Sequence, residues 1–144
     1  MTDTWIATDT TTHQDHVIAH VRGTTVLGYF ILDEALYFLL DIGFIWTIYV
    51  DGQMELLSQG LIIEGLDIDD ERKRQLLAEI DLLHEHGPDA QDLMDIIPVA
   101  AECRIKDVIF YIDGERRRLL ITGEVKSLAV ETSLNTAEIQ VYEM

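Results

Sequence analysis

Two strand-like runs meet at Asp51-Gly52, and this hairpin constrains the fold more than any other part of the chain. Asp-Gly between apolar, β-branched and aromatic runs is typical of a two-residue type I′ turn. Residues 44–50 and 53–58 are therefore predicted to pair as antiparallel strands.

That pairing places apolar side chains on both faces of the hairpin. With a two-residue loop, one face carries Ile45, Thr47, Tyr49, Met54 and Leu56, and the other carries Phe44, Trp46, Ile48 and Leu57. An antiparallel sheet with one face in water alternates between apolar and polar residues, and this hairpin does not alternate near its base. We expect both faces to be covered, by helices on one side and by another sheet or another subunit on the other.

The other strands and helices are predicted from the spacing of apolar residues and from residues typical of turns and helix ends. Gly28 indicates a bulge, because glycine weakens the interior of a strand. Asp113-Gly114 predicts a second hairpin, with Val108, Phe110, Ile112, Leu119 and Ile121 on its core face. The predicted strands are 16–22, 25–31, 104–112, 115–126, 128–132 and 137–143, and the predicted helices are 34–42, one running from Asp67 to Gly87, and 90–97.

The fold class predicted from these elements is α+β. A mostly antiparallel sheet, built from two hairpins and a C-terminal meander, packs with one short buried helix and one longer amphipathic helix. The 144 residues fit one domain, which we assign to residues 15–144 after a flexible tail at 1–14.

Charge excludes several classes of partner. The 27 acidic and 10 basic residues give a formal charge of −17, which repels phosphate backbones and anionic lipid headgroups. Residues 26–50 are apolar and long enough to cross a bilayer, but they contain Asp33, Glu34 and Asp41, each costing about 2.5 to 3.5 kcal/mol there. We therefore expect no direct binding of nucleic acid, no membrane span and a cytoplasmic location.

Histidines are the first candidate ligands, and they fall in two groups. On a strand, His16 and His20 would lie about 13 Å apart, too far to share a metal ion, whereas on a helix the same spacing would allow it. His84 and His86 close a predicted helix, where they would interact favourably with the negative end of its dipole. A metal site drawing on all four requires the fold to bring the two groups together.

The run from Arg116 to Arg118 is the main basic cluster in the chain. Alternation in the second hairpin places Arg116 and Arg118 on one face with Tyr111 and Asp107. Two interpretations remain open. One is cross-strand salt bridging with cation–π contacts, and the other is a site for an anion or carboxylate, which guanidinium groups bind in bidentate fashion.

Motifs for covalent chemistry are absent from the sequence. Cys103 is the sole cysteine and is predicted to be a small buried apolar residue rather than a reactive thiolate. No serine lies in a nucleophile motif and no phosphate-binding loop is present, so no cofactor is predicted.

The function that follows is that of a non-enzymatic interaction or regulatory domain. We expect a homodimer formed through the face of Phe44, Trp46 and Ile48, and a basic protein is the further partner that the charge favours. The alternative is a small-ligand-binding or metal-dependent enzyme that uses the histidines and the hairpin arginines.

Overall fold

The computed structural model describes residues 5–144, and for residues 100–102 it describes the backbone alone. Its helices are α1 (Thr12–Val21), α2 (Gln59–Gly65) and α3 (Asp70–His86), and a turn of 3-10 helix covers Gly87–Asp89. Its strands are β1 (Ile6–Thr8), β2 (Thr25–Leu32), β3 (Ala35–Leu40), β4 (Phe44–Tyr49), β5 (Met54–Ser58), β6 (Ile97–Asp113), β7 (Arg116–Gly123), β8 (Leu128–Ser133) and β9 (Ile139–Glu143). Within residues 5–144, no helix is long and apolar enough to cross a membrane.

All the described strands pair antiparallel in one sheet, in the order β5-β4-β3-β2-β6-β7-β8-β9, with β1 added alongside β6. The predicted α+β class with a mostly antiparallel sheet is therefore confirmed. The C-terminal meander is also confirmed, since β6 to β9 lie where four successive strands were predicted.

Strand β6 belongs to two parts of this sheet. Its first part pairs with β2 through Ile97 to Arg104, and its second part pairs with β7 through Ile105 to Asp113. We call β5, β4, β3, β2 and the first part of β6 the first half-sheet. The second half-sheet consists of the rest of β6 with β1, β7, β8 and β9.

The two half-sheets share a core. Trp46 and Phe38 from the first half-sheet cluster with Leu119 and Val130 from the second, and α1 adds Val17 to the same cluster. The opposite face of the first half-sheet packs against α2 and α3 through a separate cluster that includes Ile45, Ile63 and Ile80. The first half-sheet is thus covered on both faces, as predicted, by helices on one side and by the second half-sheet of the same chain on the other.

Register in the first hairpin differs from the prediction by one residue. Ile48 pairs with Met54, and the amide of Tyr49 donates to the carbonyl oxygen of Gln53, so the loop has three residues rather than two. Gly52 has φ +90°, as the last position of a three-residue hairpin loop requires. Because side chains alternate, this single step moves Met54 and Leu56 to the face of Trp46.

The register of the second hairpin differs from the prediction by two residues, and each side chain stays on its predicted face. Asp113 pairs with Arg116, which leaves Gly114 and Glu115 as the loop. An even shift preserves the alternation, so Phe110 and Leu119 lie in the core as predicted.

The prediction of a strand at 16–22 is wrong, because these residues belong to α1. Thr11 and Gln14 form a capping box at its start, and Val17, Ile18 and Val21 are buried at helical spacing. The alternation of residues 17, 19 and 21 was also consistent with a strand, but the helix exposes Ala19.

Part of the predicted tail at 1–14 also has regular structure. Ile6–Thr8 forms β1 and pairs with residues 110–112 of β6, and α1 begins at Thr12. The first four residues of that predicted tail lie outside the described residues.

The prediction of a buried helix at 34–42 is wrong, because this segment contains β3. Leu32 pairs with Ala35 across a tight turn in which Asp33 has φ +48°. A segment that is apolar on every side suits a strand covered on both faces as well as a buried helix, and here the tight turn from β2 produces the strand. The short helix of the structure is α2, which starts after the Ser58 N-cap.

The prediction of a helix at 90–97 is also wrong, because this segment is irregular up to β6. The buried carboxylate of Glu79 accepts hydrogen bonds from backbone amides that, in a helix, would bond to carbonyl oxygens of the preceding turn. Oε1 of Glu79 accepts from the amides of Met94, Asp95 and Ile96 at 2.8–3.2 Å. Glu79 is fully buried on α3, so these bonds fix the segment that leads into β6 against that helix.

Gly28 lies at an irregularity in β2, where the pairing with both neighbours shifts between Val26 and Gly28, as the bulge prediction expected. A Cβ at this position would lie 2.9 Å from the carbonyl oxygen of Ile97 and 3.0 Å from Cδ1 of Leu83. The sheet and α3 therefore meet closely over a residue that has no side chain.

We expect Gly28→Ala to lower the free energy of unfolding by about 1 to 3 kcal/mol, because the backbone oxygen cannot yield as a side chain would. Gly60→Ala is the matched control, since Gly60 lies in α2 and no atom of another element lies within 4 Å of the added Cβ. Urea unfolding followed by circular dichroism measures both variants. Equal stability of Gly28→Ala and the unsubstituted protein would show that the close contact is not rigid.

Candidate functional site

Arg116 and Arg118 lie on the outer face of the second half-sheet, where Trp5 covers both. The guanidinium carbon of Arg116 is 4.7 Å from the centre of the Trp5 ring, and that of Arg118 is 5.8 Å away. Arg116 also pairs with Glu131 at 3.1 Å and with Asp113 at 3.8 Å. These are the cross-strand salt bridges and cation–π contacts of the first interpretation, and an anion at Arg116 would have to compete with two carboxylates.

Of the two residues predicted to lie beside the arginines, Tyr111 does so and Asp107 does not. Tyr111 pairs in register with Arg118, whereas Asp107 pairs with Thr122 further along the hairpin. The carboxylate of Asp107 accepts from the guanidinium of Arg22 at 3.0 Å, and from the amide of Val108 at 2.9 Å.

Those two bonds determine the ionisation of Asp107. The amide of Val108, followed by the guanidinium of Arg22, holds the pKa of Asp107 below its ordinary value. Stability from this group is present above the unfolded-state pKa and is lost as the pH falls through the folded-state value. Both side chains of the ion pair are more than half exposed, so the contribution is small.

The histidines of α1 share one side of that helix. His13, His16 and His20 line a shallow groove with Val17 of the same helix and Leu56 of β5. The ring Nε2–H of His13 donates to the carbonyl oxygen of Met54 at 2.9 Å, which ties the helix to β5. Because α1 replaces the predicted strand, His16 and His20 lie one helical turn apart instead of about 13 Å.

His84 and His86 lie at the end of α3, which packs on the other face of the first half-sheet from α1. The Gln59 amide donates to Nε2 of His84 at 2.8 Å, and His86 lies 3.9 Å from Glu85. Since α1 packs in the core between the half-sheets and α3 packs on the opposite face of the first half-sheet, the two histidine groups do not converge. In the described part of the chain, no group of three or more His, Cys, Asp or Glu side chains is arranged to hold a metal ion.

Two of the three residues proposed for a dimer interface lie inside the single chain. Trp46 is fully buried and Ile48 is 2% exposed, because the second half-sheet covers the face that they share. Phe44, at the start of β4, is 39% exposed. The predicted interface must therefore be corrected, because the apolar face that motivated it is already covered by this chain.

The two ends of the sheet differ in how they are covered. At β5, the side chain of His13 donates to Met54, and that of Gln14 donates to the carbonyl oxygen of Gly52 at 2.8 Å. Helix α1 therefore covers the start of this edge and the loop before it, as side chains and helices commonly do at sheet edges. In the described part of the chain, β9 at the other end pairs with β8 alone.

The hydrogen-bond pattern shows which groups of β9 point away from β8. Ser127 and Met144 exchange two backbone hydrogen bonds, and the amide of Ser133 donates to the carbonyl oxygen of Glu138. Hydrogen-bonded pairs alternate along antiparallel strands, so Gln140 and Tyr142 also bond to β8. The N–H and C=O groups of Ile139 and Val141 consequently point towards the outer edge.

Trp5, Glu131 and the edge of β9 are features that sequence reasoning missed. Trp5 lay in the segment predicted to be a tail, and no local pattern indicated that it packs on the arginines. Glu131 could have been found, because β7 and β8 were predicted as neighbours and opposite charges favour cross-strand pairs.

Comparison of the chain with protein-family models, curated proteins and solved structures finds no match.

Cys103 is fully buried, which confirms its prediction as an apolar core residue. Burial raises the pKa of its thiol to about 11. At pH 8 only about one molecule in a thousand then carries the thiolate.

We expect Cys103 to resist a disulfide reagent at pH 8 in the native protein and to react rapidly in concentrated urea. The reaction requires a thiolate that the reagent can reach, and burial both keeps the thiol protonated and blocks access to its sulfur. Absorbance of the released thiol measures the rate. Native labelling as fast as in urea would contradict the burial of this residue.

Proposed function

We propose that the protein is a non-enzymatic interaction domain that associates with a second copy through the outer edge of β9. The observation that carries this proposal is that Ile139 and Val141 direct backbone groups outward from β9, a five-residue edge strand. The edge of β5 is bonded at its first residue by His13, and β1, which pairs with β6 alone in the described residues, has three residues. An edge with unpaired backbone groups is a template for another strand.

A second copy fits this edge in a self-complementary register. A two-fold axis at Gln140 places Ile139 opposite Val141 of the second copy, and Val141 opposite its Ile139. The outward groups of Ile139 and Val141 in each strand then pair, giving about four backbone hydrogen bonds. Paired β-branched residues pack favourably across antiparallel strands.

Charge is compatible with this register at the contact itself. Glu138 lies opposite Tyr142 of the second copy, and Glu143 lies opposite its Ala137, so no two carboxylates face each other. The two chains each carry a formal charge of −17, so longer-range repulsion opposes the association. Added salt screens that repulsion over a Debye length of roughly 10 Å at 0.1 M. Association with a second copy should therefore tighten as salt rises, whereas association with a basic protein should weaken.

A non-enzymatic role is supported by the arrangement of the candidate groups. Arg116 is engaged by Trp5 and by two carboxylates, and Arg118 packs on the same Trp5 ring. The two histidine groups lie on opposite sides of the first half-sheet. A cytoplasmic location is part of the proposal, because a single buried thiol needs no oxidising compartment.

Sedimentation velocity at tens of micromolar tests the edge with Val141→Pro. Proline has no N–H, and the N–H of Val141 points away from β8, so the variant should keep its bonds to β8 and fold. It should sediment as a monomer, because the outward N–H that would pair with a second copy is lost. Val141→Ala is the matched control, because it trims the side chain, keeps the N–H and should still dimerise. Circular dichroism checks that both variants are folded.

The proposal fails if the unsubstituted protein is a monomer throughout that range. It also fails if folded Val141→Pro dimerises as strongly as the unsubstituted protein. A dimer of the unsubstituted protein that weakens as salt is added would contradict it too.

A further inference from the structure

His16 and His20 are placed by α1 where one metal ion can reach both. Residues four apart on a helix lie on one face, with Cβ atoms about 5 to 6 Å apart. Both side chains are exposed and line the same groove. The ligand spacing is therefore set by the backbone of a capped helix rather than by a loop.

His20 is held in the tautomer that a metal ion requires. Its Nδ1 lies 2.8 Å from the carbonyl oxygen of His16, and a carbonyl oxygen can only accept a hydrogen bond. Nδ1 therefore carries the proton, and the lone pair of the neutral ring is on Nε2. A metal-ligating histidine commonly donates its other ring N–H in this way, which fixes the orientation of the ring.

His13 does not add a third ligand through its Nε2 atom. Its Nε2 is engaged with the carbonyl oxygen of Met54, and its contact anchors α1 to β5. No third His, Cys, Asp or Glu of the described residues joins the pair in a metal-binding arrangement. An ion bound here has two imidazole ligands from the protein and takes its other ligands from water.

We infer that His16 and His20 form a two-imidazole site for a divalent transition-metal ion. Imidazole nitrogen suits Zn²⁺, Ni²⁺ and Cu²⁺, whereas Mg²⁺ and Ca²⁺ prefer oxygen ligands. The formal charge of −17 raises the concentration of cations around the chain, so it favours delivery of the ion without selecting its identity. The inference is independent of the edge of β9, since it uses only α1.

Zn²⁺ titration by calorimetry tests the site in the full-length protein, with Mg²⁺ in excess to occupy carboxylates. We expect one Zn²⁺ per chain, with affinity reduced at least about tenfold in His16→Ala and in His20→Ala. Alanine favours helix, so both variants should retain α1 by circular dichroism. The double variant His84→Ala/His86→Ala is the matched control, because it removes two exposed histidines from another helix and should bind as before.

Cu²⁺ provides a second readout, because electron paramagnetic resonance reports the nitrogen atoms bound to it. Two imidazole nitrogens are expected in the unsubstituted protein and in the control, and one in each single variant. The inference is overturned if both single variants bind Zn²⁺ as tightly as the unsubstituted protein. It is equally overturned if the His84→Ala/His86→Ala control loses binding to the same extent.

Discussion

Burial of the first half-sheet on both faces is the constraint on which the rest of the structure depends. Leu39 and Ile45 face the helices, whereas Phe38 and Trp46 face the second half-sheet, and all four are fully buried. Each fully buried side chain of this kind contributes about 1.5 to 3 kcal/mol relative to its exposed form. A chain with two apolar faces in one sheet needs two covering layers, and this chain supplies both from its own residues. The apolar patch expected at a subunit interface is consequently used within the fold.

Strand β6 is the element that makes this arrangement possible. It pairs with β2 at its start and with β7 at its end, so one continuous strand carries the chain from one half-sheet into the other. The close approach at Gly28 and the three amide bonds to Glu79 fix the segment just before and at the start of β6. Helix α1 then fills the shared core with Val17 and Val21, and its His13 and Gln14 bond to the start of β5 and to the loop before it. At β9, the other end of the strand order, the backbone groups of Ile139 and Val141 point outward.

The sequence predicted the fold class, both hairpins and the double coverage, because these follow from turn chemistry and from apolar content. It did not predict the register of the first hairpin, since Asp51-Gly52 fits a loop of two or three residues and a one-residue change exchanges the faces. The same uncertainty at Asp113-Gly114 was harmless, because that shift was even. Segments 16–22 and 34–42 were assigned to the wrong class because each is short and compatible with both periods, so the capping box at Thr11 and the turn at Asp33 decided them. The contact of Trp5 with the hairpin arginines joins residues more than 100 positions apart, which no local pattern encodes.

Native-state hydrogen exchange, resolved by residue, tests the central claim that one chain covers the first half-sheet on both faces. Double coverage predicts that the hydrogen-bonded amides of β3 and β4 exchange most slowly and only through global unfolding, because no smaller opening exposes a strand that is covered on both faces. Along β9 we expect alternation in dilute protein, with Gln140 and Tyr142 protected and Ile139 and Val141 exchanging fast. Amides of β3 and β4 that exchange faster than those of β7 and β8 would contradict coverage of the first half-sheet on both faces.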